Sequence, residues 1–184
     1  ILDINKGAAD LSRRQLIYTM YGLSFREYLS LAHGIEIPIH TIEDIVSNNI
    51  KFPMGDNRPI ALFKEYMRSG YYPFFRERDC YSRLQQIVNQ VLEVDIPKFA
   101  ELSITTIEKL KKLMYVIAQS VPFKPNYSKL GRDLECHRTS VSDLVLLLDK
   151  SHLIHILRDD SFGVSSLGKV DKIYLGNTHL AYAI

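Results

Sequence analysis

The sequence predicts a mainly α-helical protein with a small β component, an α+β fold. Two observations carry this prediction. Apolar residues recur at the three- and four-residue intervals of helices in several segments between residues 59 and 150. Near the end of the chain, the short runs LIHIL (153–157) and KIYL (172–175) are rich in β-branched and aromatic residues, as strands are.

The composition is that of an ordinary globular protein. Of the 184 residues, 46% are hydrophobic and 24% are charged, and the formal net charge of +2 indicates no class of partner. No apolar run approaches the roughly 20 residues that cross a bilayer, so we expect no membrane partner. The two cysteines, Cys80 and Cys136, lie far apart and fit a reducing compartment, so a cytoplasmic location is expected.

The first part of the sequence predicts a strand, a tight turn and a helix. Residues 15–21, QLIYTMY, favour a strand, and LSFREYLSLAHG (23–34) favours a helix. In that helix Ser24 and Glu27 have the spacing of a capping box, and Gly34 can end it in a left-handed conformation. The chain begins at Ile1 within ILDI and ends on LAYAI, so we expect it to be part of a longer protein.

The middle of the chain predicts further helices. Residues 41–48 form a possible short helix, and residues 59–69 and 81–94 have apolar stripes at helical spacing. An aromatic turn, GYYPFFRERD (70–79), separates the last two, and Asp95-Ile-Pro97 is expected to end the second.

The last third predicts three helices followed by a β-hairpin. Thr105 and Glu108 form a second possible capping box, and Pro122 and Pro125 close the helix that it begins. Asn126 can cap a short helix over 127–134, and a turn leads to a third helix over 138–150. The two short strands follow, joined by a polar loop. This order is typical of a winged helix-turn-helix.

No complete catalytic site is visible in the chain. It contains no G-x-x-x-x-G-K-[ST] phosphate loop, no G-x-S-x-G elbow and no H-E-x-x-H helix. His152 and His155, with Cys136 and His137 upstream, could indicate zinc. We interpret them as ordinary surface or half-buried residues, because no further cysteine or carboxylate is well placed. No metal site is therefore predicted.

The predicted helix-turn-helix is electrically neutral. Residues 127–150 carry four basic and four acidic side chains, whereas a surface dominated by phosphate contacts shows a basic bias. The candidate nucleic-acid-binding residues are Arg138, Thr139 and Ser140 at the start of the third helix and Lys169 in the hairpin loop. Binding to DNA and docking on another protein surface both remain open.

The order of the short motifs resembles the bacterial and archaeal AAA+ type ATPases that carry a C-terminal domain of unknown function. The resemblance rests on LSF-x-E-Y, a GGYP-like turn, a helix ending in DI and a terminal KIY. The matching positions are Arg14, Leu23, Ser24, Phe25, Glu27, Gly70, Tyr72, Pro73, Asp95, Ile96, Lys172, Ile173 and Tyr174. Arg13, Tyr71 and Val94 depart from the family pattern.

This resemblance implies a division into the C-terminal end of an α/β ATPase core (1–36), a helical lid (37–97) and a winged helix (98–184). It implies a longer parent that uses ATP and Mg²⁺, neither of which this chain should bind alone. It makes Arg14 a candidate arginine finger or sensor for the γ-phosphate. The implied partners are the protein's own N-terminal ATPase core and a second copy of the chain. The alternatives are a DNA-binding regulator and a protein-interaction module.

Overall fold

A computed structural model describes residue 18 and residues 20–50, 58–158 and 170–184 of the protein. Its described residues are mainly helical, with one small two-stranded antiparallel sheet, so the predicted α+β class is confirmed at that level. The chain divides into two compact units, one comprising Tyr18–Cys80 and the other including Tyr81–Ile184. The domain limits predicted at residues 36 and 97 stay predictions.

The first unit has helices α1 (Phe25–His33), α2 (Ile42–Val46) and α3 (Pro59–Glu65) in its described part. A π-helical turn, Tyr66–Gly70, continues α3, and a 3₁₀ turn, Pro73–Arg76, follows it. The predicted helices in this region are therefore confirmed, with α3 shorter than expected because its last turn widens. Tyr18, Met20 and Tyr21 lie in no strand, so the strand predicted over 15–21 is wrong for its described residues.

Both capping boxes of the first unit set where a helix begins. The Ser24 hydroxyl accepts a hydrogen bond from the Glu27 N–H at 3.3 Å, and the Glu27 carboxylate accepts one from the Ser24 N–H at 2.7 Å. Thr41 and Asp44 repeat this arrangement at α2. Gly34 ends α1 with a φ of 65°, in the left-handed region that glycine adopts without strain. These local signals explain why the helices could be predicted.

The core of the first unit is aromatic. Tyr28, Leu29, Ile35 and Leu62 are buried, and other rings pack against them. The Tyr28 ring lies 5.1 Å from Phe75, centroid to centroid, in the edge-to-face arrangement that aromatic pairs prefer.

The second unit begins with a nearly continuous helical segment. Helix α4 (Cys80–Gln90; Cys80 itself closes the first unit) leads into a π-helical turn, Val91–Asp95, and then into α5 (Ile96–Ala100). The prediction that Asp95-Ile-Pro97 ends the helix is wrong. Pro97 is the second residue of α5, and the residue before it, Ile96, still donates its N–H to the Val91 carbonyl, so the chain remains helical through the proline. The segment ends instead at Glu101, whose φ is 52°.

Three helices follow, α6 (Ile104–Gln119), α7 (Tyr127–Asp133) and α8 (Arg138–Lys150). Ser103 rather than Thr105 caps α6, because its hydroxyl accepts from the Thr106 N–H at 3.3 Å. The predicted capping box of Thr105 and Glu108 is therefore wrong. The bounds predicted for α8 are confirmed, and Val141, Leu144, Val145 and Leu148 are buried as expected.

The sheet consists of β1 (Ile154–Arg158) and β2 (Val170–Leu175), paired antiparallel with Ile156 opposite Ile173. Phe123 adds a single bridge to the far side of β2: its N–H donates to the Ile173 carbonyl at 2.8 Å and its carbonyl accepts from the Ile173 N–H at 2.7 Å. Helix α9 (Leu180–Ala183) follows the sheet, and α6 contacts α8, α9 and β2.

Candidate nucleic-acid interface

An open cleft in the second unit lies where the start of α7 approaches the start of α8. It has a volume of about 570 Å³ and is lined by Lys124, Pro125, Asn126, Tyr127, Ser128 and Arg138. Two of these side chains are cationic, three others carry a hydroxyl or amide group, and none is a carboxylate. The cleft therefore presents hydrogen-bond donors and positive charge to solvent.

Residues 124–126 form the first wall of the cleft, and hydrogen bonds of the residues on either side hold this segment in place. The Phe123 bridge holds the chain against β2 one residue before Lys124. On the other side, the Asn126 side chain accepts a hydrogen bond from the Lys129 N–H at 2.9 Å and so begins α7. Residues 124–126 are thus held between the contact with the sheet and the cap of α7, and all three line the cleft.

The second wall depends on a tight turn between α7 and α8. The Cys136 N–H donates to the Gly131 carbonyl at 2.8 Å, and Glu135 adopts a φ of 49°. A Cβ on Gly131 would lie 2.8 Å from the Cys136 carbonyl oxygen, closer than real contacts of this kind. The Lys109 ammonium group donates to the Glu135 carbonyl at 2.7 Å and ties the turn to α6. This turn brings Arg138, the first residue of α8, to the cleft.

Arg158 is a further cation, whose charge acts on one residue of the cleft lining, Tyr127. Partial burial raises the pKa of the Tyr127 hydroxyl, and the positive charge of Arg158 opposes that rise in pKa. Because Arg158 is the last residue of β1, the sheet as well as the two helices contributes charge to this region.

The exposed side of α8 continues from the cleft. Thr139, Ser140 and Asp143 are exposed, and the Leu146 side chain is 40% exposed. The opposite side of the helix is buried. The His137 side chain makes no capping hydrogen bond to the first turn of α8. The N–H groups of that turn are thus left for another acceptor.

The structure places three of the five predicted site residues together. Arg138, Thr139 and Ser140 form the first turn of α8, with Arg138 in the cleft lining. Arg14 and Lys169 lie outside the described residues, so their predicted roles stay predictions. Sequence reasoning missed Lys124 and Arg158, which are isolated in sequence. The sequence could have pointed to them only by their positions. Lys124 lies just before Asn126, the cap of α7, and Arg158 lies at the end of a strand.

Two further observations concern the described part of the chain. It contains no group of three or more His, Cys, Asp or Glu side chains placed to hold a metal ion. No helix among the same residues is both long enough and apolar enough to cross a bilayer.

Comparison with known proteins places the chain in a family of proteins that share a domain of unknown function. The family is described as Domain of unknown function (DUF8612), its model matches residues 60–184, and the chain belongs to it. The chain is also similar to the uncharacterized protein MJ1637 of Methanocaldococcus jannaschii, with 28% identity over 172 residues. The match covers 89% of this chain and 35% of that protein, so the chain spans about a third of its length. No solved structure matches the chain.

These matches show that the resemblance to AAA+ ATPases is wrong, because the family that matches is DUF8612. The described positions on which the resemblance rested have structural roles here. Ser24 and Glu27 cap α1, and Pro73 begins a 3₁₀ turn. Gly70 is buried beside the rings of Tyr28 and Tyr66. Short motifs that satisfy common needs of helix capping and turn formation recur in unrelated families. The ATP and Mg²⁺ of a longer parent stay predictions.

Proposed function

We propose that residues 104–175 form a winged helix-turn-helix that binds double-stranded DNA. The order of elements supports this proposal: α6, the Phe123 bridge, α7, a tight turn, α8 and then two antiparallel strands. In such folds the second helix of the pair enters the major groove, and flanking residues contact the phosphate backbone. Helix α8 is the second helix in this arrangement.

The observation that carries the proposal is the cationic cleft. Lys124 and Arg138 line it, and Arg138 is the first residue of the 13-residue helix α8. The positive charge of Arg158 also acts on Tyr127, another lining residue. A helix N-terminus and arginine side chains both favour phosphate oxygens. Residues 127–150 have a net charge of zero. The cleft is positively charged because of where its cationic side chains lie, and not because the segment has an excess of basic residues.

A salt titration of DNA binding tests the proposal. A fluorescently labelled duplex is titrated with the full chain at several salt concentrations, and affinity is read by anisotropy. The affinity should fall as salt rises, because bound cations are released from the phosphates. Substitution Arg138→Ala should weaken binding to all duplexes alike and reduce the salt slope by about one. Arg158→Ala should act in the same direction.

Arg78→Ala is the matched control, because Arg78 is exposed and belongs to the first unit. This variant should keep the affinity and the salt slope of the unaltered chain. Binding that is absent at low salt, or that Arg78→Ala weakens as much as Arg138→Ala, contradicts the proposal.

A second candidate function is docking on another protein. The outer face of the sheet favours it, because Leu157 is 48% exposed and Tyr174 is 37% exposed. Both side chains lie on the face opposite the buried Ile154 and Ile173. Failure of the salt titration, together with a Leu157→Asp variant that abolishes complex formation in cells, would favour this candidate. The expected cytoplasmic location and a homo-oligomeric state stay predictions for either function.

A further inference from the structure

We infer that α8 reads the sequence of the duplex and that Asp143 selects cytosine at one position of the site. This inference rests on the proposed function, because it assumes that α8 lies in the major groove. It goes beyond that function in naming the base edge that the protein recognises and the side chain that recognises it.

The first step concerns the shape of α8. Thr139, Asp143, Leu146 and Lys150 follow one another at intervals of four, three and four residues, so they lie on one face of the helix. All four are exposed, whereas Val141, Leu144, Val145 and Leu148 are buried on the other side. The face that is free to enter a groove is therefore defined by these four side chains.

The second step concerns distance from the phosphate contacts. Arg138 lines the cationic cleft at the start of α8, and Asp143 follows five residues later. At a rise of about 1.5 Å per residue, Asp143 lies about 7.5 Å further along the helix axis. Five residues also turn the helix by about 140°, so Asp143 projects from a different side of α8 than Arg138 does. With Arg138 on a phosphate strand at the side of the groove, Asp143 can therefore face the base edges.

The third step concerns the chemistry of a carboxylate at that place. An ionised Asp143 accepts hydrogen bonds and donates none, and phosphates repel it. Cytosine presents an amino donor in the major groove, whereas guanine presents two acceptors there. Adenine presents a donor next to an acceptor, which suits an amide better than a carboxylate. Asp143 forms no ion pair with another described residue. Its oxygens are acceptors, which is what the cytosine amino group requires.

The neighbouring side chains agree with base contact rather than phosphate contact. Leu146 and the methyl group of Thr139 are apolar, and apolar groups in the major groove contact the thymine methyl. A face that binds phosphates would carry several cations. Of the four exposed side chains on this face, only Lys150 is cationic, and it lies at the C-terminal end of α8.

The test selects bound duplexes from a pool with a randomised central segment, using the full chain, and sequences them. The unaltered protein should enrich cytosine at one position, with a preference of roughly 5- to 150-fold over the other bases. Asp143→Asn should move the preference at that position from cytosine to adenine, because an amide both accepts and donates. Asp143→Ala should lose the preference and keep the salt-dependent binding. Asp143 is exposed, so these variants should fold.

Glu108→Gln, at an exposed position of α6, is the matched control and should keep the cytosine preference. Salt-dependent binding without any base preference, or an Asp143→Asn variant with an unchanged preference, overturns this inference and leaves the proposed function standing. Failure to retain any duplex at low salt overturns both.

Discussion

The phenolic hydroxyl of Tyr66 donates a hydrogen bond to the carbonyl oxygen of Leu23 at a distance of 2.7 Å. On the other side of the same residue, the Leu23 N–H donates to the carbonyl of Tyr71, also at 2.7 Å. The π-helical turn and the residue after it therefore hold the chain just before the N-cap, Ser24. This arrangement joins the entry of α1 to the aromatic turn that follows α3.

The first prediction removes the Tyr66 hydroxyl. Tyr66→Phe should lower the free energy of unfolding by about 1 kcal/mol, because the Leu23 carbonyl loses its donor while the ring packing stays. Chemical denaturation followed by circular dichroism measures this change. Tyr81→Phe is the control, since the Tyr81 side chain is 43% exposed, and it should have little effect. Equal stability of the two variants would show that the Tyr66 hydrogen bond contributes nothing.

The second prediction concerns the space around Gly70. A Cβ there would lie 2.5 Å from the Tyr66 ring and 2.6 Å from the Tyr28 ring. Because Tyr28 is 1% exposed, its ring has little room to move. Gly70→Ala should therefore destabilise the protein by about 1–3 kcal/mol, in spite of alanine's better helix propensity.

Gly34→Ala provides the comparison for Gly70. A Cβ on Gly34 would meet nothing within 4 Å, but the φ of 65° disfavours alanine by about 1 kcal/mol. Only the Gly70 variant should also change the near-ultraviolet circular dichroism of the tyrosines. An unchanged tyrosine signal in Gly70→Ala would contradict the steric explanation.

Most helices could be predicted because their ends are coded locally. Ser24, Gly34, Thr41 and Asn126 each satisfy or redirect backbone groups within a few residues, so their effect is visible in the sequence. The failures have non-local or competing causes. The exit from the α4–α5 segment depends on a left-handed Glu101 rather than on Pro97. The segment around Tyr18 has strand-forming residues, but a strand requires a partner that composition cannot supply.

The candidate interface was less predictable than the fold. Arg138, Thr139 and Ser140 could be proposed because helix order places them at the start of α8. Lys124 is held in place by the neighbouring Phe123 bridge to β2, a contact between residues far apart in sequence. Arg158 ends β1, and its charge acts on Tyr127, a relation that the order of residues does not show. Residues 127–150 have a net charge of zero, and a net charge does not show where the individual charges lie. The sequence therefore did not indicate that Lys124 and Arg138 line the same cleft.

The third prediction uses the pKa of Glu27. The Ser24 hydroxyl and N–H lower the pKa of the Glu27 carboxyl below its ordinary value of 4.5. The resulting stabilisation is complete above that ordinary value and is lost as the pH falls through the lowered pKa of the folded protein. Ser24→Ala removes the side-chain hydrogen bond, so the pKa of Glu27 should rise in an NMR titration of the carboxyl carbons.

Asp44 is the internal control for that titration. The Thr41 N–H and hydroxyl lower the pKa of its carboxyl in the same way, at a different helix. Ser24→Ala should leave the pKa of Asp44 unchanged, and Thr41→Ala should raise the pKa of Asp44 alone. A pKa of Glu27 that does not move in Ser24→Ala would mean that the Ser24 hydroxyl is not its main perturbing group.

The fourth prediction joins the turn between α7 and α8 to the proposed DNA contact. A Cβ on Gly131 would press on the Cys136 carbonyl oxygen, a backbone atom that cannot rotate away. Gly131→Ala should therefore lower the free energy of unfolding by about 1–3 kcal/mol and move the start of α8. Because Arg138 lies two residues beyond Cys136, duplex affinity should fall even at temperatures where the variant is folded. Cys136→Ala keeps the carbonyl and should retain both stability and affinity. If Cys136→Ala and Gly131→Ala lose the same affinity, the cysteine side chain rather than the turn backbone positions Arg138.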